Sequence, residues 1–401
     1  MSQIYGVANS ESGPVRIWLA IIVLGIGAFS IVTTELAPIG LLSPIAEDLA
    51  RSESVIGLTV TVYAWVGALS ALLSTLWLGN IPRKPLLIAL MLGLAVSNGV
   101  AMASTNYPTL LGARVIGAVF HGLFWAMIGA LAAQIAPVRH VGLATSIVFG
   151  GVSAASVMGV PLATLVGHAE GWRVAFGTIA VLCFGAALAM AILVPSTKAE
   201  APVGRKALLE VLHRRDLRGI YLATIFAVTA HFSAFTFIEP FLSSEVAMPG
   251  STIAVMLFSF GVAGLVGNVL TGVFIDKYLK PVLALSLIAL SVALVMLALF
   301  GESFNAVSLL GLIATWGAAI AIIFVGFQSW ILRVAGESAL PASAIYVSIF
   351  NAAIGTGAMV GAWVLGWAGL SGVVGFAGVA AAISIILIAL RRAPTRRNHD
   401  H

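Results

Sequence analysis

Twelve apolar runs of about 20 residues or more follow one another through this 401-residue chain, near 17–39, 55–78, 86–105, 108–133, 142–167, 172–194, 218–243, 251–275, 281–300, 306–332, 341–366 and 371–390. At a rise of 1.5 Å per residue, each run is long enough to cross the hydrocarbon of a bilayer as a helix. Composition agrees: 60% of the residues are hydrophobic and 9% charged, too few charges to cover a water-facing surface of this size. The expected fold class is therefore an all-α, polytopic membrane protein with twelve transmembrane helices. Cys183 is the one cysteine, so neither a disulfide framework nor a cysteine metal cluster is expected, and the net charge of +5 does not point to nucleic acid.

The basic residues set the orientation. Arg16, Arg83, Lys84, Arg139, Lys198, Arg205 and Lys206 fall in loops on one side, together with the Arg-rich tail after Leu390, whereas the other side has Arg51 and Arg173. Lys and Arg concentrate in cytoplasmic loops. An even number of crossings then places both termini in the cytoplasm. The expected domain boundaries are a disordered N-terminus at 1–15, a six-helix bundle at 16–194, a cytoplasmic linker at 195–217, a second six-helix bundle at 218–390 and a basic tail at 391–401. Sliding the chain by 196 residues lays Lys84-Pro85 on Lys280-Pro281, Pro44 on Pro240, Thr33 on Thr229 and Gly159 on Gly355. Two such halves related by an axis along the membrane normal are a known transporter layout.

Within the apolar runs stand Glu35, Arg114, His121, His231 and Glu239. A charge at the bilayer centre costs about 2.5–3.5 kcal/mol on insertion scales, so such residues mark ion or substrate pathways unless they sit at the headgroups. Glu35 reads as a proton or cation carrier, or as an outer-interface residue if Pro38 and Pro44 end the helix early. Arg114 lies at a depth similar to Glu35 and either pairs with its carboxylate or caps backbone carbonyls. His121 is two turns below Arg114; it either relays protons or is a satisfied buried histidine. The 196-residue slide places Glu35 on His231, which shares a helix face with Glu239; Glu239 itself is read equally as a cavity or an interface residue. Thr34, Tyr63, Trp125, Phe235, Gln328, Tyr346 and Asn351 are candidate substrate-cavity residues. Pro161 is expected to bend the fifth segment near Val157, because proline lacks an amide donor and clashes with the carbonyl four residues back. Gly159 is expected to admit a second-half helix, the one carrying Gly355 and Gly357, at that bend. Gly151-Val152-Ser153-Ala154 resembles an intramembrane serine hydrolase only faintly, and small residues there serve helix packing. The chain has no Gly-x4-Gly-Lys-Ser/Thr loop, so ATP is not the expected driver.

Thr33-Thr34-Glu35 with Pro38, Tyr63-Ala64-Trp65, Arg114 and His121 through Trp125, Gly159-Val160-Pro161, and Phe350-Asn351-Ala352-Ala353-Ile354-Gly355, in this order and spacing, resemble the bacterial drug-and-sugar efflux branch of the major facilitator superfamily, closest to its sugar-efflux transporters. The resemblance spans essentially the whole chain. It implies two pseudo-symmetric six-helix bundles around a central cavity, a bacterial inner-membrane location, a monomer, and export of a small organic molecule in exchange for protons, sugars first and drugs second. It also implies gating roles for Gly159, Pro161, Arg83, Lys84 and Asp276. The antiporter motif ends here in Gly159-Val160-Pro161 rather than Gly-Pro. The loop motif has Gly79-Asn80 where an Asp is usual, whereas Asp276-Lys277 keeps the acid in the second half. No cofactor is expected, and the partners are substrate, protons and lipid. Proton-coupled uptake and multidrug efflux remain alternatives within transport, and a membrane enzyme or sensor is the alternative outside it.

Overall fold

Inside hydrocarbon every backbone amide needs a partner within the protein, and a helix supplies all of them within one segment. Among the described residues of this computed structural model, 14–77, 81–137, 140–197 and 204–389, the chain is helical and has no strand. The first half comprises α1 (Pro14–Leu36), the short α2 (Leu42–Asp48), α3 (Glu53–Trp77), α4 (Arg83–Met102), α5 (Tyr107–Ile135), α6 (Val141–Ala154), α7 (Val160–Glu170) and α8 (Trp172–Leu193). The linking helix α9 (Arg205–His213) follows, burying Leu208 and Val211. The second half holds α10 (Arg215–Phe235), the single turn α11 (Ile238–Pro240), α12 (Gly250–Phe300), α13 (Ala306–Ala335) and α14 (Ala339–Ala389). Two of these are bent pairs: α12 breaks at Tyr278 (φ −127°, ψ 36°) and α14 at Gly369, whose φ of +70° suits glycine. With those breaks counted, the helices are consistent with twelve crossings. Of the expected tails, only Pro14 and Val15 are described.

Prolines shape the irregular turns. Pro38 follows α1 in a 3-10 turn, Ala37–Leu41. Pro161 follows a π turn, Ala155–Gly159, which separates α6 from α7 and contains Val157. There Val160 N–H donates to Ala155 O, the five-residue step of a π turn. In that register the carbonyl of Ser156 would need the amide of residue 161, and proline has none.

Side-chain contacts sort the connections onto two faces. On one face Arg16 donates to Ile192 O, Arg214 donates to Val334 O and Ala335 O, and Tyr221 donates to Ala342 O. On the opposite face, called distal here, Arg173 pairs with Asp48 at 2.8 Å and donates to Ser104 O. The halves join mainly on the distal side. Ile39, Leu41, Ile45 and Ile56 of the first half belong to the second half's apolar core, whereas Ile17, Leu24, Leu87 and Ile135 form a separate one.

The internal repeat is visible in these contacts. Trp65 Nε1 donates to Ala352 O at 3.1 Å, joining α3 to α14. Adding 196 to Trp65 and subtracting 196 from Ala352 gives Gly261 and Ser156. Those two also touch, because a Cβ on Gly261 would stand 2.4 Å from Ser156 O. A reciprocal pair of this kind is the mark of two-fold related halves.

Candidate functional site

Pro38 stands four residues after Thr34, so the amide that would normally close α1 onto the Thr34 carbonyl is missing. Arg114 of α5 supplies the donor. Its Nη1 donates to Thr34 O at 2.7 Å and its Nη2 to Glu35 O at 3.0 Å. The guanidinium also lies 3.9 Å above the Tyr63 ring of α3, a cation–π contact. Of the two readings of Arg114, the geometry is that of a carbonyl cap. The nearest basic group that the Glu35 carboxyl pairs with is instead His121, with Oε2 3.7 Å from Nε2. His121 in turn packs edge-on against Tyr63 and Trp125, at ring separations of 5.2 and 6.2 Å.

These side chains are buried to differing completeness: Glu35 is 8% exposed, Arg114 2%, His121 1% and Tyr63 1%. Yet Glu35 Oε1, Arg114 Nε, His121 Nδ1 and Tyr63 Oη find no hydrogen-bond partner among the described residues. Buried polar atoms are normally satisfied, and four orphans in one cluster are a feature of sites that exchange protons or ligands rather than of sites that only hold a fold. Thr34 Oγ1, by contrast, is fully engaged with Ser30 O and Asn98 Nδ2, beside Cys183 Sγ.

The second half is built differently at the equivalent place. His231 of α10 accepts a hydrogen bond at Nδ1 from Trp316 Nε1, at 2.9 Å. Rings of Phe232, Phe235, Phe260 and Phe324 surround it. Beside this block is a cavity of about 240 Å³, bounded by α10, α12, α13, the π turn and its flanks, and lined at one point by Leu36 of α1. Of the expected cavity residues, Phe235 lines it, as does His231. The others lie elsewhere: Tyr63 under Arg114, Trp125 stacked on Phe149, Gln328 on Ser343, Tyr346 on Phe324 O, and Asn351 on Val347 O.

Glu239 lies at neither a lipid interface nor this cavity. It is wholly buried on the distal face, where Oε2 accepts from the backbone amide of Ser43 at 2.8 Å and Oε1 stands 3.5 Å from His168 Nε2. Ser43 Oγ donates onward to Glu53. Glu239 thus ties the second half to the first. Among the expected gating residues, Gly159 packs against Thr33 of its own half, and the second-half helix at the bend is α12 through Gly261; Gly355 packs instead against Trp65 and Thr61. The reason is geometric: the freed Ser156 carbonyl faces α12. Arg83 is buried at the start of α4 and Lys84 half-buried; the Asp276 side chain and Gly79-Asn80 lie outside the described residues. Sequence reasoning missed Trp316, Asn98 and His168. An indole in an apolar run, whose N–H must find an acceptor, was the available signal for Trp316.

The family model described as Major Facilitator Superfamily matches residues 17–341 and 220–401. The chain belongs to the major facilitator superfamily. Among solved structures it is similar to the xylose transporter XylE from E. coli in a partially occluded inward open conformation, with a TM-score of 0.71 and 14% identity over 93% of this chain and 97% of that one. It is also similar to the human organic anion transporter MFSD10 (TETRAN), with a TM-score of 0.66 and 16% identity over 94% of this chain and 100% of that one. At these identities the likeness is one of fold. The membership makes this chain a transporter and not an enzyme.

Proposed function

We propose that this major facilitator transporter exports a small organic molecule, sugar-like or drug-like, in exchange for protons, from a bacterial inner membrane with both termini cytoplasmic. One observation carries the reading: the unsatisfied cluster of Glu35, Tyr63, Arg114 and His121 lies one residue along α1 from the cavity, since Glu35 is followed directly by the cavity-lining Leu36. Arg114 holds the carbonyls of Thr34 and Glu35, so a change in the charge of the Glu35 carboxyl acts on the segment that lines the cavity. A proton on Glu35 and substrate in the cavity then favour opposite states of the carrier. Linkage makes the effect reciprocal: whatever substrate does to proton affinity, the proton does to substrate affinity. The distal joint described above corresponds to a carrier open toward the cytoplasm, from which an exporter loads.

The test uses purified protein in proteoliposomes and a labelled panel of D-xylose, L-arabinose and ethidium. Glu35→Gln should abolish accumulation driven by a pH gradient while leaving exchange at equal pH largely intact. Normal gradient-driven accumulation by the variant would overturn the assignment of Glu35, and accumulation with the gradient rather than against it would turn export into uptake.

A further inference from the structure

His231, Phe235 and Phe260 are almost parallel: His231 lies 5.0 Å from Phe235 at 23° and 6.1 Å from Phe260 at 10°, and the two phenyl rings lie 4.8 Å apart. Trp316 stands edge-on to all three. An indole N–H can only donate, so His231 Nδ1 is the acceptor, and a neutral His231 carries its proton on Nε2. Among the described residues no hydrogen bond to that nitrogen is present, and His231 lines the cavity. The remaining polar groups are sparse. Ser156 Oγ is engaged with Val152 O, Ser153 offers a hydroxyl, and Asn268 Oδ1 is enclosed without a partner among the described residues.

We infer that this cavity is the substrate subsite, and that it selects a flat aromatic compound with one hydrogen-bond acceptor, which His231 Nε2–H receives while the Phe235–Phe260 rings hold the flat face. The inference rests on the transport reading and narrows its substrate class. Size agrees: a dry cavity of about 150 Å³ takes benzene, so about 240 Å³ takes one fused pair of rings or a ring with a short substituent. Chemistry argues against sugars here. A pyranose would bring hydroxyls on both faces against phenyl rings, and each unmatched buried hydroxyl costs roughly tenfold in affinity. An aromatic ring instead gains from offset stacking on rings already held in place by Trp316.

The test is equilibrium binding to purified protein in lipid nanodiscs, with empty nanodiscs subtracted, using radiolabelled coumarin, naphthalene and D-xylose. Coumarin and naphthalene share a shape, but only coumarin carries acceptors. Coumarin should bind saturably and about fivefold to tenfold more tightly than naphthalene, the worth of one hydrogen bond. His231→Phe should remove that preference and leave naphthalene unchanged, and His231→Gln, which can still accept from Trp316 and donate, should retain it. If His231→Phe does not fold, Trp316→Phe serves, because freeing the tautomer should shrink the coumarin preference. Equal binding of coumarin and naphthalene to wild-type protein would overturn the inference, as would displacement of coumarin by D-xylose at comparable concentration. Because binding is read without transport, loss of pH-driven flux alone would count against the transport reading and not against this site.

Discussion

The Glu239 contact predicts how strongly one buried carboxyl sets the balance between the two states of the carrier. Opening the distal face must part Ser43 from Glu239, since the two belong to opposite halves and their hydrogen bond of 2.8 Å cannot survive separation. A hydrogen bond of this kind contributes about 1–3 kcal/mol, more when the acceptor is charged. At 1.4 kcal/mol per factor of ten, Glu239→Ala should raise the distally open fraction by about 5- to 150-fold. Glu239→Gln keeps an oxygen for the Ser43 amide and should fall between the two. The assay is the labelling rate of Ile39→Cys by a membrane-impermeant maleimide, in a Cys183→Ser background. Ile39 is fully buried in the core shared by both halves, and Cys183 is buried as well. Exposed Glu47 provides the control, as Glu47→Ala should leave the rate unchanged. A Glu239→Ala rate within twofold of wild type would show that the contact forms without contributing to closure.

Three further outcomes follow from the geometry. In a double-mutant cycle on thermal stability in detergent, Arg114 should couple to Tyr63 by about 1–2 kcal/mol, more than to the Glu35 side chain, because the guanidinium stacks on the ring and caps carbonyls; the reverse order would restore the carboxylate as its main partner. Gly261→Leu should lower the melting temperature and speed labelling at Ile39→Cys, since even a Cβ there stands 2.4 Å from Ser156 O, while Gly150→Ala, with open space around it, should do neither. Glu245, outside the membrane-spanning helices, has its carboxyl pushed above the usual range by burial and by its hydrogen bond with Glu302. A raised acid is protonated more readily folded than unfolded, so its unfavourable contribution grows as pH rises above about 4.5. Glu245→Gln should therefore raise the melting temperature at pH 7 but not at pH 4, and equal effects at both would refute the ionisation argument.

The all-helical membrane fold and the places of most irregular turns were legible in the sequence, because hydrocarbon thickness and the missing proline amide act locally. The role of Arg114 was only half legible. Pro38 four residues beyond Thr34 announces an orphaned carbonyl as clearly as Pro161 announces a bend, yet which side chain reaches it depends on how α5 packs against α1. The distal tie was hidden for a different reason. Glu239 reads equally as a cavity or an interface residue from its distance along its own helix, and its partner is a backbone amide, which carries no side-chain signature. The cavity depends on the angles of six aromatic rings, and nothing in residue spacing encodes these.

The repeat relates the two halves position by position, and their side chains differ at the equivalent places. Glu35 and His231 are equivalent positions 196 residues apart, as are Trp125 and Ala321. In the first half, Trp125 packs edge-on beside His121, and Glu35 is packed into a polar cluster with it. In the second half, Ala321 leaves the equivalent space open and it becomes part of the cavity, while Phe260 and Phe235 stand where the first half has Ala64 and Ile39. One scaffold thus presents a titratable group on one side of the axis and an aromatic cavity on the other. Between them lies the joint, whose contacts include Trp65 on Ala352, Gly261 beside Ser156, and Glu239 on the amide of Ser43, itself a pair 196 residues apart. Residues that touch their own repeat equivalents lie on the two-fold axis. Glu239 and Ser43 therefore lie on the two-fold axis at the distal face, where parting of the two bundles breaks their contact.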